Sequence, residues 1–426
     1  MGAGDHVNRE ELERDLRERA FRSPDDDPRP SRARPWAVGL EVELFPVRTV
    51  CGRRVRVEED GKRPGSRELL ERAAARPGWA LNGHGDGVPA VTTPGGARLS
   101  FEPGGQLEYS SPSLDSLDRL LGLLRHELEA VREIFSRAHV TLLAQGMDPS
   151  PQAPELPLQL DTPRYRRMAR SFRSYEPAGR RMMRHTASIH VNLDWTDDPV
   201  EEWDVANRLS PVFAALFANS PVFGGRRAGF RSYRTVQWTH LDPRRSGPVR
   251  GEGEDPVLEY LDFALEAPAF LLGSEEPPYA PFAHWLGNGA VSRGDWERHL
   301  STLFPEVRPR GYLEFRSVDA LPLEWAGVPA LLLRGLLQHP PTRRTVRDLL
   351  PPASRSGLEA AARWGVRDSE RRRVAHRVIR LGVEGARELA LPEQDGVLRS
   401  TEAFAEAFVG RGRDPGDVGP ERPGVA

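Results

Sequence analysis

The chain has 426 residues, 38% of them hydrophobic and 8% aromatic, enough apolar surface for two or three ordinary domains or one oversized one. Basic residues number 60 against 62 acidic ones, a net charge of -2, so no overall field recruits nucleic acid or an anionic membrane. The single cysteine, Cys51, excludes an internal disulfide and a thiolate zinc cluster, and the lone lysine, Lys62, leaves no GK[ST] phosphate loop and no Schiff-base lysine.

The N-terminal stretch MGAGDHVNREELERDLRERA is too charged for a signal peptide. No run approaches the roughly 18 to 20 apolar residues that span a bilayer, so a cytoplasmic protein is expected. Residues 7–22 read as a short charged helix, followed by the linker SPDDDPRPSRARP. The next block, VGLEVELF, alternates: Val38, Leu40, Val42 and Leu44 fall on one face of a strand, Glu41 and Glu43 on the other. Cys51 follows in VRTVCG and is expected to be structural. Asn82 to Gly96 is turn-rich, and ARLSFEPGGQLEYSS reads as strand, PGG turn and strand. From Asp115 to about Ala138 leucines recur at helical spacing, with Ser113 as the expected cap.

A Pro-rich crossing leads to the basic helix RYRRMARSF and the strand HTASIHVNLDW, which sets Ser188, His190 and Asn192 on one face and Ile189 and Val191 on the other. The strand YLEFRSVDA carries Glu314 and Arg316 on one face, and helices dominate from about Leu323 to Ala407. The glycines of GPVRGEGEDPV, Gly247, Gly251 and Gly253, mark a candidate mobile cover. The expected domains are a charged helix and linker over 1–34, a catalytic domain over 35–409 and a disordered tail over 410–426.

Several strands thus share an apolar back and an ionisable front. Glu102 and Glu108 flank the PGG turn, and with Glu41, Glu43 and Glu314 they give one sheet a row of carboxylates beside His190. Oxygen-rich clusters of this kind suit Mg²⁺ or Mn²⁺, which complete their shells with water and substrate phosphates. Carboxylates beside arginines are what ATP chemistry without a phosphate loop requires. Trp238 and Trp285 are candidate walls of a pocket.

The blocks VGLEVELF, LSFEPGGQLEYSS, GRRMMRHTASIHVNLDW, ANSPVFGGRRAGFRSYRTVQWTHLDPRRSG and HLSTLFPEVRPRGYLEFRSVDALP resemble, in order, the signatures of family 2 glutamate-cysteine ligases. These are the plant-type enzymes and the actinobacterial ligase that opens ergothioneine biosynthesis. The resemblance implies an α+β, glutamine-synthetase-like catalytic fold, a curved and mainly antiparallel sheet with helices packed outside. It implies ATP as co-substrate and the joining of L-glutamate to L-cysteine. It also implies two ligand groups, Glu43, Glu102 and Glu108 for the ion nearest the amino acid, and Glu41, His190 and Glu314 for the ion shared with the ATP phosphates. His190 stands where the actinobacterial pattern SIQVN has glutamine, so the position either ligates metal or borders the nucleotide. Arg316 is assigned to the transferring phosphate, and Arg234 to the substrate or the phosphate. Arg245, Arg308 and Asn192 are assigned to nucleotide and substrate binding. The alternatives are a ligase of the same fold with another acceptor amine, and an Arg-rich binding module, which the balanced charge disfavours. No oligomeric state follows from the sequence.

Overall fold

The computed structural model describes residues 7–22, 36–59, 61, 63–83, 89–196, 198–249, 253, 255–273, 278–288, 291–391 and 394–418. Among these, nine strands form one antiparallel sheet: β1 Val38–Arg48, β2 Ala80–Gly83, β3 Pro89–Thr92, β4 Arg98–Phe101, β5 Leu107–Ser110, β6 Val140–Leu143, β7 Ser188–Leu193, β8 Val307–Pro309 and β9 Leu313–Asp319. The order is β8-β9-β7-β1-β5-β4-β3-β2, with β6 pairing the far end of β1. The eleven-residue β1 is therefore central, because it alternates cleanly enough to bury one whole face. Val38, Leu40, Val42 and Leu44 are at most 1% exposed.

Helices close the apolar back of the sheet. Pro199–Leu216 packs against β9, where Phe213 meets Phe315 edge-on at 4.9 Å between ring centres. Leu117–Arg137 packs on β6 and buries Leu117, Leu120, Leu124, Leu128, Val131 and Phe135. Its cap is Ser116, whose hydroxyl accepts from the Arg119 amide at 3.1 Å, and not Ser113. The difference has a plain cause. Leu114 still pairs with Val38 in both directions, at 2.8 and 3.0 Å, so the chain stays extended past Ser113 before it can turn into a helix.

The turn-rich 82–96 stretch is also more regular than expected. Ala80–Gly83 and Pro89–Thr92 pair as an edge hairpin because Val91 is fully buried, while 84–88 lie outside the described residues. The N-terminal helix forms as expected over Arg9–Asp15, continued by a π turn to Ala20, and inserts Leu12 and Leu16 into the main core. The linker after it lies outside the described residues.

Of the expected tail, residues 410–418 are packed, and 419–426 lie outside the described residues. Asp414 is fully buried and accepts from Arg231 Nε at 2.7 Å, while Arg231 Nη2 reaches Asp417 at 2.6 Å. Composition could not show this, because the partner lies far away in the chain. Deleting residues 413–426 leaves Arg231 without its carboxylates, and a loss of about 3 kcal/mol or more in unfolding free energy is expected from denaturant titration. A loss below about 1 kcal/mol, the value of an exposed pair, would contradict the buried clamp.

Candidate active site

The polar face of the sheet is built by register. On β1, Glu41 stands opposite His190 of β7, and Glu43 opposite Glu108 of β5. Glu314 of β9 stands opposite Asn192 of β7. The PGG turn places Glu102 beside Glu108: Gly105 takes φ +76°, and a Cβ on Gly104 would lie 2.1 Å from the Arg184 carbonyl oxygen. Only glycines allow that turn so close to the helix Ala178–His185.

The carboxylates fall into two triads, in each of which one ligand atom per residue lies within 4.8 Å of the others: Glu43, Glu102 and Glu108, and Glu41, His190 and Glu314. Their electrostatics differ. Among the described residues, no cation pairs with Glu43, Glu102 or Glu108; Glu43 accepts instead from the Ser188 amide at 2.7 Å and hydroxyl at 3.0 Å. Burial pushes Glu102 well above the usual carboxylate range, and the facing charges of Glu108 and Glu43 add to it. Burial also raises Glu43, with Glu108 adding and His190 opposing. Like charges directly across a strand pair are destabilising, so this triad is a carboxylate cluster that repels itself.

The second triad carries its own compensation. Glu41 accepts from His190 Nδ1 at 2.7 Å; burial alone would raise its pKa, but the His190 bond and charge outweigh this and hold it low. Glu314 is fully buried and gripped by Arg308, with Nη2 to Oε1 at 2.8 Å, and by Arg316 at 3.1 Å. Burial raises Glu314, yet the two guanidinium charges bring it far below the ordinary value.

A cavity of about 210 Å³ opens on this face, lined by Glu41, Glu43, Glu102, Glu108, His190, Arg308 and Arg316. Its opposite wall comes from the helices Pro163–Ser171 and Ala178–His185, which contribute Arg164, Tyr165, Met168, Met182 and Met183, with Trp238 and Phe304 beside them. Apart from Trp238, sequence reasoning missed these covering residues. Met182 and Met183 sit in the GRRMMRHT block, which was the available signal. The glycine segment expected as cover does not line the cavity among its described residues; Gly247 is pinned opposite Pro305, and Gly251 lies outside the described residues.

Five of the remaining expectations change. Arg234 does not line the cavity; it is buried, and its Nη2 donates to the Arg316 carbonyl at 2.7 Å, so it braces the strand that carries Arg316. Arg245 is fully buried away from the cavity, donating to the Thr302 carbonyl at 2.8 Å and stacking 4.6 Å from Phe270. A guanidinium sealed that way cannot reach a nucleotide. Asn192 donates to Glu41 at 3.3 Å and also stays behind the lining. Trp238 lines the cavity as expected, whereas Trp285 packs at the edge of the main core. Cys51, expected to be structural, is exposed in the turn after β1.

The family model for glutamate-cysteine ligase family 2 matches residues 37–402, the span that contains the whole sheet and both cavity walls. The chain belongs to glutamate-cysteine ligase family 2. It is thus a ligase-family enzyme, and its relatives agree. It is 34% identical over 335 residues to the glutamate–cysteine ligase EgtA of Mycolicibacterium smegmatis, covering 74% of this chain and 77% of that one. It is 30% identical over 316 residues to the chloroplastic glutamate–cysteine ligase of Medicago truncatula, covering 69% of this chain and 61% of that one. A solved glutamate–cysteine ligase from Francisella tularensis, in complex with AMP, superposes with a TM-score of 0.54 at 14% identity, covering 89% of this chain and 83% of that one. That likeness shows the shared α+β fold. Among the described residues no helix is long and apolar enough to cross a membrane.

Proposed function

We propose that this family 2 ligase joins the γ-carboxylate of L-glutamate to the amine of L-cysteine, with ATP converted to ADP and phosphate, by way of γ-glutamyl phosphate. The observation that carries this reading is one cavity with an uncompensated carboxylate triad on one side and two carboxylate-anchored arginines on the other.

The donor set of Glu43, Glu102 and Glu108 fits a hard divalent cation, Mg²⁺ or Mn²⁺: oxygen only, half-buried, and repelling itself. Such an ion supplies charge neutralisation to phosphate and carboxylate oxygens. The triad of Glu41, His190 and Glu314 fits less well, since Glu314 is already satisfied by Arg308 and Arg316. The role of Glu314 is to hold those arginines in place, leaving the other N–H groups of Arg316 for phosphoryl oxygens that gather negative charge. The γ-carboxylate oxygen of glutamate attacks the terminal phosphorus and ADP leaves. The cysteine nitrogen then attacks the acyl carbon, phosphate departs, and the amine proton is lost.

Met168, Met182, Met183 and Phe304 give the outer wall an apolar, sulfur-tolerant surface. That favours a small thiol side chain on the acceptor and supports cysteine over a charged amine. Identity to enzymes named EgtA supports a place at the start of ergothioneine biosynthesis. The partners are small molecules. The test is mass spectrometry of the products formed from glutamate, ATP-Mg and a panel of amines. γ-Glutamylcysteine with one ADP per product is expected, and faster turnover of another amine would overturn the acceptor assignment.

A further inference from the structure

On the other side of the PGG turn lies a second cavity of about 450 Å³ that shares no lining residue with the first. Among the described residues it is lined by Arg48, Arg53, Arg54, Arg56 and Arg63, with Cys51 at its exposed edge. The acids on it are Glu59 and Glu155, so positive charge predominates. Arg48 is largely satisfied, donating to the Pro64 carbonyl at 2.8 Å with Glu59 at 4.0 Å. Among the described residues, Arg53, Arg56 and Arg63 have no carboxylate within ion-pair distance. Gathering five guanidinium groups around a concave space with fewer carboxylates to balance them is unfavourable unless a further anion shares it.

Arg54 adds a second observation. It is 4% exposed, its Nη1 pairs with the buried Asp148 at 2.8 Å, and its Nε has no partner. Its Nη2 donates to the Gly104 carbonyl at 2.8 Å, within the turn that positions Glu102 and Glu108. A parallel link runs from the Val57 amide to Gln159 Oε1 at 3.3 Å, and from the Gln159 amide to the Pro103 carbonyl at 2.8 Å. Pro103 lines the catalytic cavity. The two cavities are therefore opposite sides of one short turn.

We propose that this arginine-lined cavity is an effector site for a small polyanion, a tricarboxylate or a phosphate compound, whose occupancy reaches the catalytic carboxylates through Arg54 and the Pro103–Gly105 turn. Cavity size suits a small molecule rather than a macromolecule. Guanidinium groups suit both carboxylate and phosphate, so the chemistry is shared between the two sources.

Cys51 is the only cysteine in the chain, so its reactivity reports this site without any dependence on turnover or on the acceptor amine. At low salt, the dianionic disulfide dithiobis(nitrobenzoate) should modify Cys51 roughly 10-fold faster than the neutral dithiodipyridine, each rate normalised to free cysteine. The triple variant Arg53→Gln, Arg56→Gln, Arg63→Gln should lose that preference. Tricarballylate and inorganic phosphate are tested in separate arms, with free Mg²⁺ held constant. Protection by either supports the site and names its source, and protection by neither overturns it. The protecting anion should also change kcat in the native enzyme and leave the triple variant, whose basal rate is unaltered, unchanged. Protection with no change in kcat would overturn the coupling through Arg54.

Discussion

Glu102→Gln is expected to lower kcat by roughly 10³-fold while making the metal-free protein more stable, with Glu43→Gln following the same pattern. A loss of that size corresponds to the several kcal/mol of charge stabilisation a bound cation supplies to phosphoryl oxygens. Stability moves the opposite way because Glu102 is held far above its reference value of 4.5, by burial first and then by Glu108 and Glu43. A carboxyl whose folded pKa is raised contributes fully below the unfolded value and loses that contribution as pH rises through the folded one. Metal-free native enzyme should therefore lose Tm as pH rises above about 4.5, and Mg²⁺ at about pH 8 should restore it by binding only the folded state. In Glu102→Gln both the pH slope and the Mg²⁺ response shrink. Chelation, thermal melts and steady-state rates check this together; full activity at limiting Mg²⁺ would contradict the triad's role.

Arg316→Lys should cost about 10³-fold in kcat with little change in KM for glutamate. Arginines that meet a transferring phosphoryl group are worth about this much, because charge on the equatorial oxygens builds only in the transition state. Lysine keeps one positive charge near Glu314 but cannot donate two parallel bonds. The variant should stay folded, since Arg308 still grips Glu314 through Nη2 at 2.8 Å. A proportional rise in KM with unchanged kcat would instead make Arg316 a ground-state binding group.

The proposed catalytic face was legible in the sequence to the extent that strands carry it. Alternation alone puts Glu41 with Glu43, and Glu314 with Arg316, on one side, and the PGG turn ties Glu102 to Glu108. What alternation cannot give is the order of strands. That β9 lies beside β7, bringing Glu314 to His190, depends on a connection of more than a hundred residues. Arginines off the sheet were the least legible. Arg234 and Arg245 lie in matched blocks, yet one braces the Arg316 backbone and the other is sealed among Phe270, Thr302 and Pro268, contacts set by distant segments. The covering methionines were hidden for the same reason, since an apolar residue on a short basic helix looks like ordinary core until the helix is docked.

The central claim is that the chemistry passes through γ-glutamyl phosphate inside the cavity formed by the triad and Arg308 with Arg316. Glutamate labelled with ¹⁸O in its γ-carboxylate, turned over with ATP-Mg and cysteine, tests it most directly. Transfer of one labelled oxygen into the released phosphate is predicted, and phosphate free of label would contradict the acyl-phosphate route.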